Sequence, residues 1–173
     1  IDRLGDSLDI VYLANPSYAR DEILYAIADE LHLDIAGLRQ GAVMRLLQDN
    51  LVERYANNRQ VVVLIDEAHA MPPESLEEVR LLSNLETDRH KLVNIMLFGQ
   101  PELDSLLQDR RLRQVRDRVI HRFELPPLPK DEALAYIDHR LRIAGWRGGR
   151  LFTSGALNLL LKASQGRARR INL

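Results

Sequence analysis

Asp66 and Glu67 are the residues of this chain whose type and placement could do chemistry. They close a run of five branched aliphatics, Val61-Val62-Val63-Leu64-Ile65, and stand just before Ala68-His69. Two adjacent carboxylates at such a point can divide the work on a nucleotide. Asp66 would hold the Mg²⁺ that bridges the β- and γ-phosphates, directly or through a water, while Glu67 orients and polarises the attacking water. This is the form of a Walker B motif. The plain alternative is a solvated acidic pair between a buried strand and a helix.

Three more side chains join this chemistry by position. Gln100 follows the next apolar run, Leu92 to Phe98, and would lie close to Glu67. A polar side chain there can hold the water or the γ-phosphate as a sensor 1, or be a turn glutamine satisfying its own loop. Residues 110–122 hold six arginines with no aromatic interleaved among Arg110 to Arg118, which argues against a nucleic-acid patch. Arg118, at an expected helix-to-strand junction, can reach a nucleotide held by a neighbouring subunit as an arginine finger. Arg110, Arg111 and Arg113 read better as a solvated, salt-bridged helix face. Arg169 opens the last helical pattern and would act as a second sensor on the γ-phosphate, or as ordinary surface arginine.

The elements that must position these residues follow from periodicity. The β-branched content of 61–65 favours a strand, buried on both faces, and ligands bind outside the carboxyl ends of strands in open α/β sheets. Leu8 to Leu13 reads as a strand closed by Asn15-Pro16, and Ser17 caps a helix running to about Leu31. A helix from about Gly41 to Ala56 follows, and Glu74 to Glu86 forms an amphipathic helix with Leu76, Val79, Leu82 and Leu85 inward. Two strands with a helix between them make a β-α-β unit. A short helix spans Glu102 to Gln108, and Val119 to Leu125 is expected to be a further strand.

From Pro126-Pro127-Leu128-Pro129 the pattern becomes helical: Asp131 to Ala144, ended by Gly145, then a helix capped by Thr153 or Ser154, then the start of another at Gly166. The domains expected are an α/β core over 1–125 and a small helical lid over 126–173.

Composition narrows the class. A chain of 173 residues that is 46% hydrophobic can bury a real core. Lysine plus arginine numbers 24 against 25 acidic residues, so no global field draws it onto nucleic acid or membrane. With no cysteine, disulfides, zinc-cysteine sites and thiol chemistry are excluded. No apolar run approaches the roughly 20 residues needed to cross a bilayer, and no signal peptide is visible. The chain opens at Ile1 and stops within a helical pattern, so it reads as an internal piece of a longer protein.

Taken in order, "IDEAHAMPPESLEEVRLLSNLET", "LFGQPEL", "RDRVIHRFELPPL", "YIDHRL", "AGW", "LFTSGAL" and "SQGRARRIN" resemble the AAA+ ATPases of the ExeA/GspA (general secretion pathway protein A) and MshM (MSHA pilus biogenesis) family. The resemblance covers nearly the whole chain. It implies an α/β P-loop NTPase core with a parallel sheet and a helical lid, ATP and Mg²⁺ as ligands, and a homo-oligomeric ring with the finger supplied in trans. It matches Asp66 and Glu67 to Walker B, Gln100 to sensor 1, Arg118 to the finger and Arg169 to sensor 2. Family members serve secretin or pilus assembly at the inner membrane, which implies a cytoplasmic domain, in some members of an inner-membrane protein.

One departure stands out. The family's GxxxxGK[ST] loop is absent, since Lys91, Lys130 and Lys162 are the only lysines and none follows a glycine. The amides and lysine that cradle the phosphates are therefore missing, and this piece alone should bind ATP poorly. The sheet lacks its first strand, and a gap or abnormal pairing is expected between the strands around Val93 and Val119. Three other readings compete. A DEAH-type helicase is disfavoured because Gly99-Gln100-Pro101 stands where Ser-Ala-Thr would follow. A transposition target-site AAA+ ATPase would bind DNA, and a degenerate AAA+ scaffold would assemble without turnover.

Overall fold

The computed structural model describes residues 7–14, 19, 22–86 and 90–173. The chain divides into two compact units, Ile1–Ile120 and His121–Leu173. In the first unit, β1 (Leu8–Leu13), β2 (Gln60–Ile65) and β3 (Val93–Leu97) form a parallel sheet in the order β1-β2-β3 among the described residues. Tyr12 pairs with Leu64, and Leu64 with Met96. Parallel neighbours need crossovers. The chain supplies them with α1 (Glu22–Glu30) and α2 (Gln40–Ala56) between β1 and β2, and α3 (Pro73–Leu82) between β2 and β3.

Burial along the strands alternates. Val11, Leu13, Val61, Val63, Ile65 and Val93 are buried in one core with Ile23, Leu24, Ile27, Val43, Leu47, Leu51, Leu76, Val79 and Leu82 of the helices. Each fully buried branched side chain contributes about 1.5–3 kcal/mol. On the opposite face Val62 and Leu64 are only half-buried, and Tyr12 and Met96 are exposed. The expectation of a strand buried on both faces is thus corrected: helices cover one face of the sheet, and the aliphatic run serves a full face and a half-open one. Arg54 of α2 locks this arrangement, bonding Asp9 of β1 at 2.6 Å and the Leu31 carbonyl at 3.2 Å.

After β3, α4 (Glu102–Leu107), a 3₁₀ turn at Arg110–Leu112 and α5 (Arg113–Arg116) complete the unit, with Leu112 and Val115 buried in the core. The strand expected at Val119 to Leu125 is not formed: no regular structure spans 119–129. Ile120, Phe123 and Leu125 are 72%, 87% and 90% exposed. A strand persists only where a neighbour takes up its N–H and C=O groups, and none pairs with this segment among the described residues. In place of a gapped pairing around Val93 and Val119, the ladder ends at β3. The helix expected to reach Glu86 stops at Leu82, leaving Leu85 to pack on the core from the following turn. Asn15-Pro16 and the Ser17 cap lie outside the described residues.

The second unit holds α6 (Lys130–Ile143), α7 (Ser154–Ser164) and α8 (Ala168–Ile171). Thr153 caps α7, its hydroxyl accepting from the Ala156 N–H at 3.2 Å. Gly145 takes a φ of 88° where α6 ends, a conformation that favours glycine. Ala133 and Ile137 are buried. At Gly166, with φ 71°, the backbone meets the proline-rich segment, and the Leu128 N–H donates to the Gly166 carbonyl at 2.9 Å.

Candidate nucleotide-hydrolysis site

The carboxyl ends of all three strands converge on Asp66 and Glu67. Asp66 continues β2 by one more ladder bond, its N–H donating to the Leu13 carbonyl at 3.0 Å. Then the chain leaves the sheet. Glu67 adopts φ 51° and ψ 32°, the left-handed region, and a 3₁₀ turn at Ala68–Ala70 follows. A left-handed non-glycine residue costs of order 1–3 kcal/mol and tends to occur at functional sites. Here the Asp66 carboxylate supports it, Oδ1 accepting from the Glu67 N–H at 2.8 Å. Phe98 brackets the turn, donating its N–H to Ile65 and accepting from the Ala68 N–H, both at 2.8 Å.

This turn brings Glu67 and Gln100 together. Gln100 Nε2 donates to Glu67 Oε2 at 3.5 Å. The close approach depends on Gly99, where an added Cβ would lie 3.0 Å from Leu103 Cδ2 and 3.3 Å from the His69 nitrogen.

Two residues that sequence reasoning left out also belong here. Tyr12 donates its hydroxyl to Asp66 Oδ2 at 3.1 Å. That bond, then the Asp66 charge, a little burial and the Glu67 charge hold the phenol above its ordinary range, so it stays a donor. His69 places Nε2 3.4 Å from Glu67 Oε2. The signal for Tyr12 was its place at the end of β1, useful only once the register with β2 is known; for His69 it was the spacing of two residues from Glu67, useful only once the turn is.

Asp66 fits a hydrated Mg²⁺. Each of its oxygens accepts one hydrogen bond and keeps lone-pair capacity, and the residue is partly exposed. No cluster of three or more metal-ligating side chains exists among the described residues. A single carboxylate suits an ion that keeps its waters and binds alongside substrate phosphates.

Of the other expected site residues, Arg118 belongs to the first unit and Arg169 to the second. Arg118 lies exposed in the turn after α5, its N–H bonded to the Val115 carbonyl at 3.0 Å. Among the described residues no hydrogen bond joins its side chain to Asp66, Glu67 or Gln100. The strand that would have placed it at a sheet rim is absent. Arg169 is exposed in α8 of the second unit. Of the neighbouring arginines, Arg111 pairs with Asp109 at 2.7 Å and Arg113 with Asp117 at 3.7 Å, as a solvated ion-paired surface would.

A parallel sheet with an acidic pair and a polar loop at its carboxyl edge defines a class of nucleotide-binding fold. The AAA domain model matches residues 2–107, and the chain belongs to that family. Over 176 aligned residues it is 40% identical to General secretion pathway protein A of Aeromonas hydrophila. The match covers 100% of this chain and 32% of that protein, so the chain spans about a third of its relative's length. Among solved structures, the ADP form of the Aeropyrum pernix ORC2 protein aligns with a TM-score of 0.67 at 17% identity, over 95% of this chain and 46% of that one. Its ADPNP-ADP complexes align at 0.60 and 17% identity, over 80% and 37%. The fold is that of a P-loop AAA+ ATPase.

Proposed function

We propose that this chain carries the hydrolytic half of an ATP-hydrolysing AAA+ motor or assembly factor serving type II secretion or type IV, MSHA-like pilus biogenesis. The observation that carries the reading is the meeting of Glu67 and Gln100, from the ends of two adjacent parallel strands, at 3.5 Å. Family membership and the likeness to General secretion pathway protein A support it.

In this reading Glu67 takes a proton from the attacking water, and Gln100 keeps that water or the γ-phosphate in line. Asp66 would hold Mg²⁺, which neutralises charge on the phosphate oxygens when bound. Arg118, free to face outward, reaches the nucleotide of the next subunit in a homo-oligomeric ring. Arg169 of the helical lid acts as sensor 2. The phosphate cradle has no counterpart in these 173 residues, because no lysine follows a glycine. The activity is therefore proposed for the full-length protein, working in the cytoplasm at the inner membrane with secretion or pilus assembly proteins.

The test is phosphate release by the full-length protein, wild type against Arg118→Ala. Wild type should turn over ATP, and the variant should retain ATP while losing roughly a thousandfold or more in rate. Absence of turnover in wild type would leave a scaffold. Unchanged turnover in Arg118→Ala would remove that residue from the site.

A further inference from the structure

We infer that His69 is a positioning residue for Glu67, gripping one carboxylate oxygen so that the other faces the water. The inference rests on the ATPase reading and deepens it. The imidazole spans two elements: Nδ1 accepts from the Gln100 backbone N–H at 3.3 Å, and Nε2 lies 3.4 Å from Glu67 Oε2. An acceptor Nδ1 carries no proton, so in the neutral ring the proton sits on Nε2, the nitrogen 3.4 Å from Glu67 Oε2.

The geometry divides the two oxygens of Glu67. Oε2 accepts from Gln100 Nε2–H at 3.5 Å and lies 3.4 Å from His69 Nε2, whereas Oε1 accepts no hydrogen bond among the described residues. A carboxylate held by one oxygen is fixed in rotation and keeps the other oxygen's lone pairs for the water. Glu67 needs such a hold, because its side chain is 53% exposed while that of His69 is only 18% exposed. The ring is also well anchored: it belongs to the 3₁₀ turn, whose Ala68 N–H bonds the Phe98 carbonyl. The ring thereby links the Gln100 backbone with Glu67.

The experiment uses the full-length protein and reads kcat, KM and nucleotide affinity for His69→Ala and His69→Gln. Glutamine places an N–H near the Nε2 position; alanine removes the donor. His69→Ala should lower kcat about 10–100-fold, the usual range for groups that orient a working ligand, with KM and ATP affinity within about twofold of wild type. His69→Gln should recover most of the rate. In the Glu67→Gln background, His69→Ala should have no further effect on kcat, because His69 acts through Glu67. Imidazole nitrogen NMR should show the Nε2–H tautomer.

An unchanged kcat in His69→Ala, a glutamine variant no better than alanine, or the Nδ1–H tautomer would each overturn the inference while leaving the ATPase reading intact. Wild type without turnover would overturn both.

Discussion

Tyr12 and Asp66 are joined at 3.1 Å across the ends of adjacent parallel strands, a residue from β1 fixing the carboxylate that follows β2. The Glu67 amide holds the other oxygen at 2.8 Å. Asp66 thus presents its remaining lone pairs in one orientation. Outer partners of this kind commonly change metal affinity 10–100-fold when removed. In the full-length protein, Tyr12→Phe is expected to raise the Mg²⁺ concentration for half-maximal turnover about tenfold with little change in folding. An unchanged Mg²⁺ dependence would show that the phenol only decorates the strand end.

Among the glycines of the second unit, Gly166 makes the tightest backbone approach. A Cβ there would fall 2.2 Å from the Leu128 carbonyl oxygen, a backbone atom that cannot step aside, and φ is already 71°. Left-handed cost and overpacking together should make Gly166→Ala destabilising by roughly 2–5 kcal/mol. Gly41, in α2, meets nothing within 4 Å. Gly41→Ala should be neutral or stabilise by up to about 1 kcal/mol. Thermal unfolding of the two variants checks the contrast, and equal melting temperatures would refute it.

Asp109 caps the 3₁₀ turn at Arg110–Leu112, its carboxylate accepting from both the side chain and the backbone N–H of Arg111. Those bonds hold its carboxyl below the usual carboxylate range. A carboxyl whose folded value is depressed contributes stability above its unfolded value and loses it as pH falls through the folded one. Asp109→Ala should therefore lower the melting temperature at neutral pH, with the gap to wild type closing as the solution is acidified through that range. Because the pair is exposed, added salt should shrink the gap as well. A gap independent of pH would assign Asp109 a role in packing instead.

What could be read in the sequence was whatever a short stretch carries by itself. The aliphatic run before Asp66 marked β2, the 3.6-residue spacing of Val43, Leu47 and Leu51 marked α2, and the pair Thr153-Ser154 marked the start of α7, with Thr153 proving to be the cap. Val119 to Leu125 has the same β-rich character and forms no strand, since a ladder is a property of two segments and none pairs with this one. The half-open face of the sheet was hidden for a similar reason: Val62 and Val63 look alike until helices cover one side only. Gln100 could be brought to Glu67 from topology, because parallel strands end on the same edge. Tyr12 and His69 could not, as their roles depend on strand register and on the left-handed turn at Glu67.

The most direct measurement of the central claim is ATP binding and single-turnover hydrolysis by the full-length protein, wild type against Glu67→Gln. If Glu67 is the catalytic carboxylate, the variant binds ATP as tightly as wild type and hydrolyses it at least about a hundredfold more slowly. Hydrolysis at the wild-type rate by Glu67→Gln would contradict the assignment of this strand end as the hydrolytic site.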